Sequence, residues 1–301
     1  TSAAALWLAL PMLLFTLWQP MFLGILQGKQ NFLWMGWSLM VNGVGRVGVA
    51  VFAVLVLQCR ASGMVAGMVG GLVVSLVLAI WPTRSLWLTS PLPFHWGVVL
   101  RQVIPLSLGF AAYNLMFTAD TFLVKWYFTP ATAAFYLSAG TLARASIWLV
   151  GPLAAVMFPK LVHAKAKAQK TDLLGVVLLG TLIFSAGGAI GLWVLGPWIV
   201  KLMFTPEYVE AAASLLPWYA WAVVPLALGN VLLNNLLAHA RFKVVLPLCI
   251  LAVGYVLALT QFHTTPVMVI KILTACNCLL LAICAWYSWG VKTKGQSETG
   301  Q

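Results

Sequence analysis

Long apolar runs alternate with short polar interruptions along the chain, at intervals that suit a lipid bilayer. GKQN at 28–31, CRASG at 59–63, TPAT at 129–132, PEYVE at 206–210, ARFK at 240–243 and HTTP at 263–266 cut it into segments. A hydrocarbon core takes about 20 mostly apolar residues per helix. Nine spans are predicted on that basis, over 4–26, 32–58, 63–81, 98–127, 131–158, 173–196, 211–238, 244–262 and 266–289. The link WPTRSLWLTSPLPFHWG (81–97) is rich in proline, holds no clean period and reads as an interfacial connection between two bundles. The runs far exceed the ~10 alternating residues of an outer-membrane barrel strand. The predicted class is an all-α polytopic membrane protein.

Composition strengthens that class. Hydrophobic residues make up 62% of the 301 positions and charged residues 7%, with a mean hydropathy of +1.00. A soluble domain carries roughly a quarter charged residues, and this chain has too few to cover a water-facing surface. Its 15 tryptophans suit belts at the two lipid–water interfaces. A net charge of +12 would suggest nucleic acid in a soluble protein; here the basic residues flank spans and set orientation. Eleven of the 17 fall on one side, among them Lys29, Arg84, Arg101, Lys165, Arg241 and Lys292. Arg60, Lys125, Lys201 and Lys271 fall on the other, and Arg46 and Arg144 lie inside spans. The positive-inside rule makes the richer side cytoplasmic, which puts the C-terminal tail 291–301 in the cytoplasm and residue 1 outside. The densest basic run, HAKAKAQK (163–170), is expected to be a solvated cytoplasmic loop touching anionic lipid head groups. The opening TSAAALWLALPMLLF has neither Met nor a basic n-region, so it lacks the shape of a signal peptide and upstream sequence is expected to be missing.

Little in the chain points to catalysis. G-x-S-x-G, P-loop, H-E-x-x-H and paired-carboxylate patterns are absent, and five acidic residues are too few for acid–base work on sugars. His95, His163, His239 and His263 fall at span ends without a neighbour at metal-ligand spacing. The five cysteines, Cys59, Cys249, Cys276, Cys278 and Cys284, are expected to be buried inert thiols. No catalytic residue, metal or cofactor is expected.

Charges inside spans are the first candidates for function. One at mid-bilayer costs at least ~2.5–3.5 kcal/mol on insertion scales, so it faces a bundle interior or a wet cavity. Arg46 sits near the middle of the second span, in NFLWMGWSLMVNGVGRVGVAVFAVLV. Ser38, Asn42 and Arg46 share one helical face at i, i+4, i+8. Gly36, Gly43, Gly45 and Gly48 around them are expected to let another helix approach closely. Two readings of Arg46 stay open: an anchor bonding carbonyls of a second helix, or a cation lining a cavity. Arg144, in FYLSAGTLARASIWLVGPL, falls about 21 Å past the Pro130 turn at 1.5 Å per residue, again near mid-membrane. Neither arginine has an acidic residue within one helical turn in sequence. Guanidinium groups bind phosphate oxygens in a bidentate fork, so two of them in a cavity suit a diphosphate better than a neutral or cationic drug.

The stretch NLMFTADTFLVKWYF (114–128) keeps a carboxylate in an apolar helix. Asn114, Thr118, Thr121 and Lys125 form a polar stripe at i, i+4, i+7, i+11, with Asp120 off that face. Asp120 either pairs with an arginine on a neighbouring helix or carries a proton or sodium ion during transport. In GNVLLNNLLAHARF, Asn230, Asn234 and Arg241 form a second polar face; such asparagines are expected to bond across helices, with ligand contact the alternative.

These residues carry a resemblance. The segment ADTFLVKWYFTPATAAFYLSAGTLARASIWLVGPLAAVMFPKLV (119–162) resembles the polysaccharide-export, O-antigen-flippase-like branch of the multidrug/oligosaccharidyl-lipid/polysaccharide flippase superfamily. Members show an Asp, an apolar stretch and a Lys, a short turn, a Tyr-bearing helix with an "lgR" element, and a closing "FP". The matching positions are Asp120, Lys125, Thr129-Pro130, Tyr136, Arg144 and Phe158-Pro159. GILQGKQNF (24–32) is similar to the family's G-x-x-Q-G-x-x-x-F loop, and 203–241 to its Tyr-bearing segment and Asn-bearing helix. Ala134 departs from the glycine usual two residues before the tyrosine.

The resemblance implies a two-lobe, MATE-like bundle working by alternating access. Residues 1–81 would be the last three helices of the first lobe, 82–97 the connection and 98–290 the six-helix second lobe, with the first three helices of the fold missing. It further implies an inner-membrane flippase for a lipid-linked oligosaccharide of the polyprenyl-diphosphate type, its anionic head gripped by Arg46 and Arg144. Asn42, Asn114, Lys125, Asn230 and Asn234 would line the path, and Asp120 would couple to H+ or Na+. Membrane lipids, a polysaccharide polymerase and glycosyltransferases are the implied partners. Two rivals remain at this point: a multidrug or cation antiporter of the same fold, which would want an acidic cavity, and a membrane enzyme of polysaccharide assembly.

Overall fold

A computed structural model describes residues 3–56, 58, 60–87, 96–145, 147, 173–204 and 207–290. Among them there is no strand; the backbone is helical nearly throughout, as an apolar medium demands when every N–H and C=O must find a partner within its own segment. The helices are α1 (Ala3–Gly28), α2 (Phe32–Leu55), α3 (Arg60–Trp87), α4 (Trp96–Tyr127), α5 (130–145), α6 (Leu173–Met203), α7 (Glu207–Ala238), α8 (Val245–Gln261) and α9 (Pro266–Ala285). Seven of these nine described helices are long and apolar enough to cross a membrane: all but α4 and α5. At 32 residues α4 is long enough, but Asn114, Asp120 and Lys125 dilute its apolar character; α5 is described only as far as the middle of its predicted span. The basic run 163–170 and Phe158-Pro159 lie outside the described residues.

The polar interruptions act as turns through specific groups. Gln30 and Ala240 both take left-handed φ values, 55° and 56°. After α1, Asn31 N–H donates to Leu26 O at 2.9 Å and Gln30 N–H to Gln27 O at 3.0 Å. After α7, Arg241 N–H and Ala240 N–H repeat the pattern onto Leu236 and Leu237. This is the paired bonding that satisfies orphan carbonyls at a helix end, here without the usual glycine. Asn31 then caps α2, and Thr265 caps α9 ahead of Pro266, by accepting from backbone amides.

Contacts divide the chain into two compact units, Thr1–Phe94 and His95–Gln301. In the first, α2 lies along α3 and α1 packs on α3. Close approach of α2 and α3 comes from glycines of α3. A side chain at Gly67 would meet Ala50 Cβ at 2.5 Å, and one at Gly71 would meet Asn42 O at 2.6 Å and the Arg46 stem. Gly67 and Gly71 are four residues apart, the small-xxx-small spacing that lets membrane helices touch backbone to backbone. The expectation that the α2 glycines would serve this purpose is corrected: Gly36, Gly43 and Gly48 have nothing within 4 Å, and only Gly45 meets α3. Buried Ser75 ties the three helices together, accepting from Gln19 Nε2 at 2.8 Å on α1 while Ser38 Oγ of α2 donates to its carbonyl at 2.8 Å.

The expected link 81–97 is also corrected in part. Helix α3 runs through Pro82 to Trp87, and Thr83 Oγ donates to Ala79 O and Ile80 O at 3.1 and 2.9 Å. Pro82 has no N–H for Leu78 O, and Thr83 adds bonds to the next two carbonyls, the kind of local adjustment with which a membrane helix tolerates proline.

In the second unit α7 is the hub. It packs on α6 and α9, α4 packs on α8, and one apolar core draws residues from α4 to α9. Cys284 is buried, but Cys278 is exposed, which corrects the expectation that all the thiols are buried: at i+2 the Cys276–Cys278 pair points two ways.

Candidate functional site

The second unit places the Asp120 carboxylate at the centre of this core. Tyr113, Met116, Asp120 and Val124 follow one another at helical spacing on the buried face of α4. Asp120 therefore lies opposite lipid, and the stripe predicted from Asn114 to Lys125 runs along the margin of that face. Its side chain has no exposed surface, and an unpaired charge there would be very costly.

Helix α5 supplies the partner. Tyr136, Gly140 and Arg144 lie at i, i+4, i+8 on one face. Arg144 Nη2 donates to both Asp120 oxygens, at 2.6 Å to Oδ1 and 2.8 Å to Oδ2. Its Nη1 donates to Thr121 Oγ1 at 2.7 Å. The Tyr136 hydroxyl donates to Oδ2 at 2.9 Å, and the Tyr219 hydroxyl of α7 donates to the same oxygen. One carboxylate thus gathers a guanidinium and two phenols from two other helices. Gly140 makes room for the ring of Tyr219: a Cβ there would lie 3.1 Å from its Cζ. The Arg144 guanidinium also lies over the Phe117 and Tyr219 rings, 5.2 and 5.4 Å from their centroids, within range for attraction to the π faces.

Arg144 is thus no lone cation, contrary to the expectation from its sequence neighbours; its counter-charge comes from 24 residues upstream on another helix. The pair is not wholly sealed. Asp120 is fully buried, whereas the Arg144 side chain keeps 13% of its surface exposed. Its Nε–H and one Nη1–H have no partner among the described residues, so an anion at the exposed edge would find donors still available.

The other sequence-predicted residues fall in three groups. Arg46, in the first unit, is exposed and makes no ion pair or hydrogen bond among the described residues, its stem lying against Gly71. Asn42, one turn back, buries its Oδ1 without a partner. Asn114 is exposed and donates to Phe110 O in its own helix, and Lys125 is exposed. Asn230 and Asn234 bond each other along α7, Nδ2 of Asn234 reaching Asn230 O at 2.8 Å and Oδ1 at 3.0 Å. That corrects the expected cross-helix bonds, because a four-residue spacing lets the amides meet on one face. Arg241 lies beyond α7 and donates to Tyr287 O and Ser288 O, both at 3.0 Å, in the short π-helical segment Trp286–Gly290 that follows α9.

Two residues were missed. Tyr219 was hidden in the apolar run PWYAWAVVP, although a mid-span tyrosine needs a partner for its hydroxyl. Asn277 makes the cross-helix bond, Nδ2 to Ala222 O at 2.8 Å between α9 and α7. Among the described residues no cluster of His, Cys, Asp or Glu could hold a metal ion.

Against protein-family models, residues 2–298 match the family described as lipid II flippase MurJ. The chain belongs to the MurJ family. Searches of curated proteins and of solved structures give no match. MurJ proteins belong to the superfamily whose motifs the sequence resembles and move a lipid-linked precursor across the membrane; they are transporters, not enzymes. The membrane-enzyme rival is thereby set aside. The MurJ match and the run of apolar helices make this a multi-pass membrane protein.

Proposed function

We propose that the chain translocates a polyprenyl-diphosphate-linked glycan precursor across the inner membrane by alternating access. The observation carrying this is the MurJ match over residues 2–298, and it favours a lipid II-type cargo. A second reading, a precursor of exported polysaccharide, is supported by the motif running from Asp120 through Lys125 and Tyr136 to Arg144. A polymerase and glycosyltransferases would then consume and supply the cargo. The C-terminus is cytoplasmic in either case, by the distribution of basic residues. A multidrug antiporter is favoured by no observation, since the buried carboxylate among the described residues, Asp120, is neutralised by Arg144.

Arg46 and Arg144 each bind the diphosphate, from different starting states. Arg46 is exposed and unpaired among the described residues. Arg144 offers its Nε–H and one Nη1–H at once and its Nη2 only by exchange, because Nη2 is committed to Asp120. A proton or sodium ion arriving at Asp120 would weaken that attachment and free the guanidinium for phosphate oxygens, which is how Asp120 would couple an ion gradient to transport. Tyr136 and Tyr219 hold the carboxylate in place through the exchange. Asn42, with its unpartnered amide oxygen, and exposed Asn114 and Lys125 line the path of the head group. Asn230 and Asn234 serve it less directly, being bonded to one another.

The test is translocation of fluorescent lipid II, and separately of a lipid-linked oligosaccharide, into vesicles containing Arg46→Ala or Arg46→Lys protein. Loss with Ala and partial recovery with Lys is the expected outcome, since a point charge replaces part of a fork. Undiminished transport in both variants removes Arg46 from the site. The cargo that moves decides between the two readings.

A further inference from the structure

The first unit carries a cleft that the transport reading does not use. Leu33, Trp37 and Val41 form a ridge at i, i+4, i+8 on α2; with Trp34 and with Leu78 of α3 they line an open apolar cleft of about 380 Å3. Its length along the ridge, eight residues at 1.5 Å each, is about 12 Å. It is oriented along a membrane-spanning helix, and its lining is almost wholly apolar.

At one end of the cleft lies positive charge with no counter-ion among the described residues. Lys29, in the turn before α2, reaches Ser85 Oγ on α3 at 3.5 Å, and next to Ser85 the Arg84 guanidinium stacks 4.4 Å over the Trp81 ring. Both side chains are exposed. Residues 1–94 contain no Asp or Glu at all, so nothing in this unit can neutralise them. Arg84 and Leu78 are six residues apart on α3, about 9 Å along the axis, close to the separation of a phosphate from the first part of its acyl chain.

We propose that this cleft is a site for one anionic glycerophospholipid, an acyl chain lying along Leu33–Val41 and the phosphate on Lys29 and Arg84. Charge complementarity selects the anionic class, since two uncompensated cations favour a net-negative head group. The apolar lining selects a plain hydrocarbon chain and offers nothing to a glycan, which separates this lipid from the transported cargo. Trp34, Trp37 and Trp81 supply the flat amphipathic rings that settle at the head-group level.

Native mass spectrometry of the full chain in detergent, titrated with phosphatidylglycerol or phosphatidylcholine, tests the site. The expected result is one tightly retained phosphatidylglycerol and no comparable phosphatidylcholine. Lys29→Gln/Arg84→Gln should weaken retention on the order of ten- to thirty-fold, the effect of removing two surface cations. Val41→Trp, which fills the cleft and leaves both charges, should abolish it too. Equal retention by wild type and both variants, equal binding of phosphatidylcholine, displacement by millimolar inorganic phosphate, or tighter binding of polyprenyl diphosphate in the same place each overturns the proposal. None of these readouts requires transport, so the site stands or falls apart from the flippase reading.

Discussion

A carboxylate without exposed surface survives in this membrane protein because four donor contacts converge on it. Oδ1 accepts from Arg144, and Oδ2 accepts from Arg144, Tyr136 and Tyr219. A hydrogen bond to a charged group is worth about 1.5–3 kcal/mol. Tyr219→Phe should therefore lower unfolding stability by about that much, measured by chemical denaturation in detergent. Asn277→Leu should cost less, about 0.6 kcal/mol and at most about 1.7, the average and maximum for hydrogen bonds between membrane helices. Asp120 could be singled out from sequence because an acid in an apolar run is conspicuous, and pairing with an arginine on a neighbouring helix was one of its two readings. The partner could not be fixed: Arg144 and Tyr219 are 24 and 99 residues away, and only packing brings them in. Tyrosine is the harder residue to read, since its ring fits an apolar run and conceals the hydroxyl.

Among elements, the α2–α3 pair shows how a small residue on one helix positions a charge on its neighbour. Gly71 leaves space for the Arg46 stem, and Gly67 for Ala50 and the Arg46 carbonyl. Gly71→Ala should destabilise by about 1–3 kcal/mol through overpacking and should tilt α2 away from α3. Gly43→Ala, with nothing within 4 Å, should be neutral or slightly stabilising through helix propensity. Thermal unfolding of the two variants side by side checks this; equal losses would contradict the assignment. The existence of these helices was legible because a bilayer imposes one length on every apolar run. Which glycines make contact was not, because α2 and α3 both carry several and periodicity alone does not orient one helix against another. The end of α3 was missed for a related reason: Pro82 usually signals a break, and here Thr83 bonds the carbonyls of the preceding turn and the helix continues.

For the molecule as a whole, membership of the MurJ family gives the apolar architecture a purpose, and the buried Asp120–Arg144 pair is the feature that a static scaffold would not need. Replacing a buried ion pair by apolar residues of similar bulk is often neutral or stabilising, whereas removing one partner costs about 3–5 kcal/mol. If the pair were only a fastener, a hydrophobic substitute would do equally well. The deciding measurement is lipid II translocation by Asp120→Leu/Arg144→Leu protein in vesicles, with thermal unfolding recorded on the same preparation. The account predicts a folded protein, its melting temperature near that of the wild type, that has lost transport. Transport at the wild-type rate by the doubly substituted protein would contradict it.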